Sequence, residues 1–200
     1  RYNQNIVECA NDDRNNKFDP TDGYYFQISQ EAAGLGGDSK YLKHEAKASY
    51  YYPIAAKWTL GFLGSGGYIF GLGSEDIRIN ERFYVGGDDL RGFRNSGIGP
   101  RDTSTLDALG GNAYYTATGE LKFPLGLPEE LGISGALFSD VGSLWQVDDT
   151  GANIFDENSP RVSVGAGLLW SSPFGPIRID LAHAVVKERQ DRTENIRFSF

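Results

Sequence analysis

Residues 113–123 read AYYTATGELKF and sort by parity into two chemically distinct sets. Tyr115, Ala117, Gly119, Leu121 and Phe123 form one set, and Tyr114, Thr116, Thr118, Glu120 and Lys122 the other. Successive side chains of a strand point to opposite faces, so the pattern predicts a strand with one apolar and one polar face. Residues 41–53 repeat it, with Leu42, Ala46, Ala48, Tyr50 and Tyr52 opposing Lys43, Glu45, Lys47, Ser49 and Tyr51. Residues 161–170 set Val162, Val164, Ala166, Leu168 and Trp170 against Arg161, Ser163, Gly165 and Gly167. Residues 177–184 set Ile177, Ile179 and Leu181 against Arg178, Asp180 and Ala182, and the chain closes on Ile196, Phe198 and Phe200 alternating with Arg197 and Ser199. About eight such segments are expected, the opening residues being the remnant of one.

Length separates these segments from ordinary strands. They run about 9 to 13 residues, which suits a tilted strand crossing a hydrocarbon core and exceeds the usual 5 to 6. Short connections such as PLGLPEE and SPFGP alternate with long polar ones at residues 9–22, 71–112 and 146–160. A transmembrane barrel has that asymmetry, with tight turns at one end and large loops at the other. Aromatics gather near segment ends at Tyr24-Tyr25-Phe26, Tyr50-Tyr51-Tyr52 and Trp145, where a water–lipid boundary favours rings with a polar edge. The expected fold is therefore all-β, an antiparallel transmembrane β-barrel. A soluble β-sandwich also alternates, and periodicity by itself leaves that alternative open.

Composition narrows the function classes. The 26 glycines, 13% aromatics and absence of Met fit strands and turns better than packed helices. A net charge of -8 argues against a nucleic-acid partner, because phosphate binding needs a basic face. The acidity falls in loops, with Asp12, Asp13, Asp19 and Asp22 in one and Asp148, Asp149, Asp156 and Glu157 in another. These read as solvated loops, and with no EF-hand spacing no metal is assigned. Cys9 is the only cysteine, so no disulfide forms within the chain. The first residues lack the basic start and apolar core of a signal peptide, and no apolar run is long enough for a transmembrane helix. A chain that opens inside an apparent strand is expected to be part of a longer one.

Three motifs carry a family resemblance. Residues 83–102, FYVGGDDLRGFRNSGIGPRD, resemble the sixth loop of the BamA family of outer-membrane β-barrel assembly proteins, with Leu90-Arg91-Gly92-Phe93 as its V/L-R-G-F/Y tetrad and Gly99-Pro100 after it. FSDVGSLW is similar to a second family motif at Phe138, Asp140 and Gly142, and GAGLLWSSPFGPIRIDLA resembles the family's penultimate hairpin. The resemblance covers nearly the whole chain. It implies that residues 1–200 are roughly the C-terminal half of a sixteen-stranded barrel, with a lumen loop at about 71–112. The periplasmic POTRA domains and first strands of the family lie outside these residues, so the lateral opening between first and last strands is incomplete here. The last strand, Glu194 to Phe200 with Ile196, Phe198 and Phe200 on one face, is the visible part of that seam. Asn195 stands where the terminal signal usually has Gly, which implies that residues follow Phe200.

In the family the loop folds into the lumen and its arginine meets acidic residues on the inner wall. Parity agrees: Glu120 lies on the polar face of its segment, and Asp140 shares parity with Ser134 and Ala136 rather than with Leu137 and Val141. Arg91 is therefore expected to dock on Asp140 and Glu120, with Gly92 and Gly86-Gly87 allowing tight backbone turns beside the wall.

Other constellations fail. His183 lies near Asp180 in sequence but on the opposite parity, with no G-x-S-x-G elbow, so no hydrolase is read there, and His44 is likewise a strand residue. Residues 61–73, GFLGSGGYIFGLG, lack the Gly-Lys-Ser/Thr of a phosphate loop; glycines in a barrel strand permit curvature or close approach of the inserted loop. The resemblance implies a non-enzymatic, cofactor-free function, inserting β-barrel proteins into the bacterial outer membrane. Implied partners are nascent barrel proteins, outer-membrane lipid, POTRA domains and accessory lipoproteins. A two-partner secretion or TamA-type transporter, a passive porin and a soluble carbohydrate-binding β-domain are the alternatives.

Overall fold

The computed structural model describes residues 4–34, 40–73, 75–148, 151, 153–172 and 175–199. Its main element is an antiparallel sheet of nine strands. In order these are β1 (Gln4–Asp12), β2 (Gly23–Ala33), β3 (Tyr41–Ala55), β4 (Trp58–Gly71), β6 (Ala113–Pro124), β7 (Ile133–Trp145), β9 (Arg161–Ser172), β10 (Gly175–Val186) and β11 (Ile196–Ser199). Every strand pairs with its neighbour in sequence order along this sheet, a simple meander. Two small strands, β5 (Arg101–Asp102) and β8 (Ile154–Phe155), pair with each other in a separate sheet. Eight strands of the sheet have nine residues or more, and β11 has four.

The parity read from the sequence sets the two faces. Phe62, Leu137, Leu181 and Phe198 are more than half exposed on the outer face. Among the described residues no second sheet covers them, so the sandwich alternative has no partner layer. An apolar surface this continuous belongs against lipid. No helix among the described residues is long and apolar enough to cross a membrane, which leaves the crossing to strands. The opposite face carries the dry core. Leu90, Phe93, Ile98, Phe83 and Val85 of the long loop pack there on Tyr41, Ile69, Leu144 and Ala184 of the wall. The β4 glycines serve this approach: a Cβ on Gly67 would stand 2.7 Å from the Phe83 ring.

The sheet is strongly curled. β6 and β10 are three strand spacings apart, about 14 Å in a flat sheet, yet Arg178 of β10 bonds Glu120 of β6 at 2.6 Å. Curvature brings the inner faces together. Among the described residues the sheet is open, because β1 and β11 are its two edges and do not pair.

Three expectations are corrected or bounded. First, the polar stretch at 9–22 was grouped with the long loops, but residues 9–12 belong to β1 and pair with β2. Antiparallel strands alternate direction, so 13–22 emerges at the end of the two-residue connection at Ala56-Lys57, opposite to 72–112 and 146–160. Polarity reports solvation and not which end a loop occupies. There 13–22 turns inward: Pro20 is buried and Asp19 pairs with Lys122 of β6. Second, the last strand starts at Ile196 and not at Glu194: the Asn195 carbonyl still accepts from Ala182 of β10, but the Glu194 amide bonds Gly92 of the loop. Third, Phe200, Asp149, residues 1–3 and the Pro173-Phe174 turn of the penultimate hairpin lie outside the described residues.

Candidate functional site

The register of β6 and β7 builds the wall of the site. Thr118 stands opposite Asp140, and Glu120 opposite Phe138. All four share the inward parity, and Asp140 is 1% exposed. Two residues along β7, Gly142 leaves a gap that Leu90 of the loop fills; a Cβ there would lie 3.4 Å from Leu90 Cδ1. Leu90 and Phe93 are fully buried on either side of Arg91 and Gly92, which seats the tip of the loop by apolar burial before any charge is considered.

Arg91 then meets the wall with every face of its guanidinium. Nε and Nη2 donate to the two Asp140 oxygens at 2.8 and 2.7 Å, a bidentate fork. Nη1 donates to Glu120 Oε2 at 2.8 Å, and the Arg91 amide to Asp140 Oδ2 at 3.1 Å. Arg91 Cζ lies 3.4 Å from the Phe138 ring centroid, adding cation–π attraction to charge-assisted bonds. Phe138 is flat against the sheet because its neighbour across β9 is Gly165, where a Cβ would stand 2.4 Å from the ring. Burial by itself would lower the Arg91 pKa; the bonds and charge of Asp140 and Glu120 outweigh it and leave it raised. The cation is permanent.

Gly92 is the backbone condition for this approach. Its φ is +91°, and a Cβ would reach 3.0 Å from Ser163 Cβ and 3.6 Å from Ala182 Cβ. A side chain would both strain the backbone and lift the tip from β9 and β10. Gly86 and Gly87 lie at the entry of the tip, and Gly99 and the buried Pro100 at its exit, with the Pro100 carbonyl accepting from the Leu109 amide at 2.9 Å.

The cluster is larger than the motifs. Arg178 of β10 donates to both oxygens of Glu120, at 3.1 and 2.6 Å, and through Nε to Asp180 Oδ2 at 2.7 Å. Asp180 lies 4.0 Å from Arg91 Nη1, and the Thr118 hydroxyl donates to Asp140 at 2.9 Å. Arg178, Asp180 and Thr118 were on the polar faces read from sequence, but nothing local says that β10 reaches β6. Below the cluster a cavity of about 410 Å³ is lined by Asp88, Arg91, Glu120, Lys122, Arg178 and Asp180, among others. Ile196 and Phe198 do not join the cluster; both are exposed on the outer face of β11. His183 is exposed on the outer face while Asp180 is buried inside, so the two do not meet.

A charged loop tip latched to the inner face of a curled, apolar-walled sheet by acids on consecutive strands is also the arrangement that the sequence motifs implied. The model of the Omp85 superfamily domain matches residues 5–200. The chain belongs to the Omp85 superfamily. Among Omp85 relatives, the outer membrane protein assembly factor BamA of Neorickettsia risticii (strain Illinois) is 40% identical over 92% of this chain and 25% of its own length. BamA of Nitratidesulfovibrio vulgaris (strain ATCC 29579 / DSM 644 / CCUG 34227 / NCIMB 8303 / VKM B-1760 / Hildenborough) is 29% identical over 97% of this chain and 24% of its own. The crystal structure of BamA from Haemophilus ducreyi lacking POTRA domains 1–3 superposes with a TM-score of 0.88 at 25% identity, over 98% of this chain and 41% of that one. The chain thus spans about a quarter of the length of the BamA relatives it matches.

Proposed function

We propose that this chain forms the C-terminal part of the barrel of an outer-membrane insertase, which assembles β-barrel proteins into the bacterial outer membrane. The observation that carries the reading is the buried Arg91 held by Asp140 and Glu120 inside an apolar-walled sheet. The likeness to the BamA proteins supports it. No covalent chemistry or cofactor enters this function. A nascent barrel must pair its strand edges before meeting lipid, because each unsatisfied backbone group costs several kcal/mol in hydrocarbon. An insertase with an incompletely paired seam offers such an edge, and its plugged lumen keeps the barrel from being a simple pore. Its substrates are nascent outer-membrane β-barrel chains. Outer-membrane lipid, POTRA domains and accessory lipoproteins are the further partners of the whole protein.

The test is complementation in cells depleted of their own insertase, scoring heat-modifiable assembly of a reporter barrel. Arg91→Glu is expected to abolish assembly, and Arg91→Glu with Asp140→Arg to restore part of it. Steady, large conductance in planar bilayers together with no reporter assembly by the wild-type protein would overturn the reading in favour of a porin.

A further inference from the structure

The weakest ladder in the sheet is the last. β11 pairs with β10 only from Ile196 to Ser199, whereas β9 and β10 pair from Gly175 to Val186. The Asn195 carbonyl still accepts from the Ala182 amide of β10 at 2.9 Å, but residues 192–194 turn to the loop tip. The Arg94 amide donates to Arg192 O and the Arg192 amide to Gly97 O, both at 2.9 Å, and the Glu194 amide donates to Gly92 O at 3.0 Å. Phe93 and Thr193 form an antiparallel bridge between them.

Side chains continue the attachment into β11. Arg197 and Ser199 are its inward residues, and both bond the same loop carboxylate. Arg197 Nε donates to Asp88 Oδ1 at 2.6 Å and Nη2 to Oδ2 at 3.3 Å, while the Ser199 hydroxyl donates to Oδ1 at 2.8 Å. Asn95 Oδ1 accepts from Arg197 Nη2 at 2.9 Å, and Glu194 from Nη1 at 3.1 Å. The guanidinium fits because residue 87 has no side chain: a Cβ there would stand 2.8 Å from Arg197 Nη2 and 2.1 Å from Asn95 Oδ1, at φ +72°. A Gly-Gly-Asp-Asp sequence therefore supplies both the space and the anion.

We infer that Asp88 and Arg197 form a clasp through which the lumen loop holds the terminal strand, so that docking of Arg91 on the wall and the position of the β11 edge are one linked equilibrium. Asp88 and Arg91 lie three residues apart on one loop tip, Arg91 buried and Asp88 exposed at its edge; Arg91 binds β6 and β7, and Asp88 binds β11. Whatever lifts Arg91 from the wall also withdraws Asp88 from the strand, and by reciprocity a displaced β11 weakens the docking of the loop. Arg197 is thus a positioning residue for the seam. Its importance for insertion rests on the insertase reading, but its geometry does not.

The test uses the full chain in native outer-membrane vesicles and reads amide hydrogen exchange in 196–199 against 163–170 of β9. Asp88→Asn and Arg197→Ala are each expected to speed exchange of 196–199 up to about fivefold, the range for a partly exposed ion pair. The exchanged pair Asp88→Arg with Arg197→Asp should return it toward wild type. Arg91→Lys, which keeps the charge and loses the fork, should speed exchange in β11 although it touches no residue of that strand. Unchanged exchange in the Asp88 and Arg197 variants overturns the clasp, unchanged exchange in Arg91→Lys overturns the linkage, and an equal rise in β9 makes the effect general loosening. Reporter assembly is scored in parallel. If the wild type never assembles the reporter while β11 responds as described, the insertase reading fails and the clasp stands; assembly with an unresponsive β11 gives the reverse.

Discussion

Replacing Arg91 by Met keeps most of the length and apolar stem of the side chain and removes its charge. In the folded protein Arg91 has a side chain 7% exposed, and Asp140, at 1%, accepts two of its guanidinium bonds. After the change Asp140 keeps only the Thr118 hydroxyl and the residue 91 amide among these donors. Glu120 is better placed, because Arg178 still donates to both of its oxygens. Removing one partner of a buried pair costs about 3–5 kcal/mol, which moves the docking equilibrium of the loop by roughly two to four powers of ten. Glu120→Gln leaves the fork between Arg91 and Asp140 untouched, so its cost is expected to stay near 1.5–3 kcal/mol, about that of one hydrogen bond to a charged group. The Arg91 amide is a direct reporter, since it bonds Asp140 only when the tip is seated. Its exchange rate gives the undocking free energy, and a double-mutant cycle of Arg91→Met with Asp140→Asn isolates their coupling. A cost below about 1 kcal/mol for Arg91→Met, the range of an exposed pair, would refute the reasoning, as would a Glu120→Gln cost equal to it.

Gly92→Ala is expected to undock the loop by about 1–3 kcal/mol, from positive φ and the 3.0 Å approach to Ser163, measured by the same exchange. Gly165→Ala should displace the Phe138 ring, which its Cβ would meet at 2.4 Å, and so weaken the stacking under Arg91, visible as a change in near-ultraviolet circular dichroism. On the outer face, Leu137→Arg should cost about 2–4 kcal/mol in urea-dependent folding into bilayers, as charges near the midplane of lipid-facing strands do. The Asp88 carboxyl is held below its ordinary value chiefly by the bond from Arg197, against burial and with help from Ser199. A depressed folded value means that its contribution is complete above the unfolded carboxylate range and is lost as pH falls through the folded one. The protection that Asp88 gives to β11 should therefore be constant from neutral to mildly acidic pH and fade only below about 3.8, the ordinary value.

How much could be read without coordinates follows from the range of the interactions. Parity is a local property, so the inward turn of Glu120 and Asp140, the outward turn of Leu181 and Leu137 and the separation of His183 from Asp180 were all legible residue by residue. The composition of a loop is also local, but its end of the barrel is not, and the polar 13–22 stretch consequently lay with the short turns. The start of the last strand differs for a related reason: alternation continues back to Glu194, whose amide hydrogen-bonds the loop rather than a strand.

The sequence by itself determined that this chain makes long two-faced strands and carries an arginine on a glycine-rich loop, because each of those is written in consecutive residues. Only the tertiary structure decided that Arg178 and Asp180 join the cluster around Arg91, and that Asp88 reaches Arg197 across 109 positions of chain. Both contacts depend on how far the sheet curls and where the loop enters it. Those quantities come from the packing of all the strands together, and no stretch of sequence contains them.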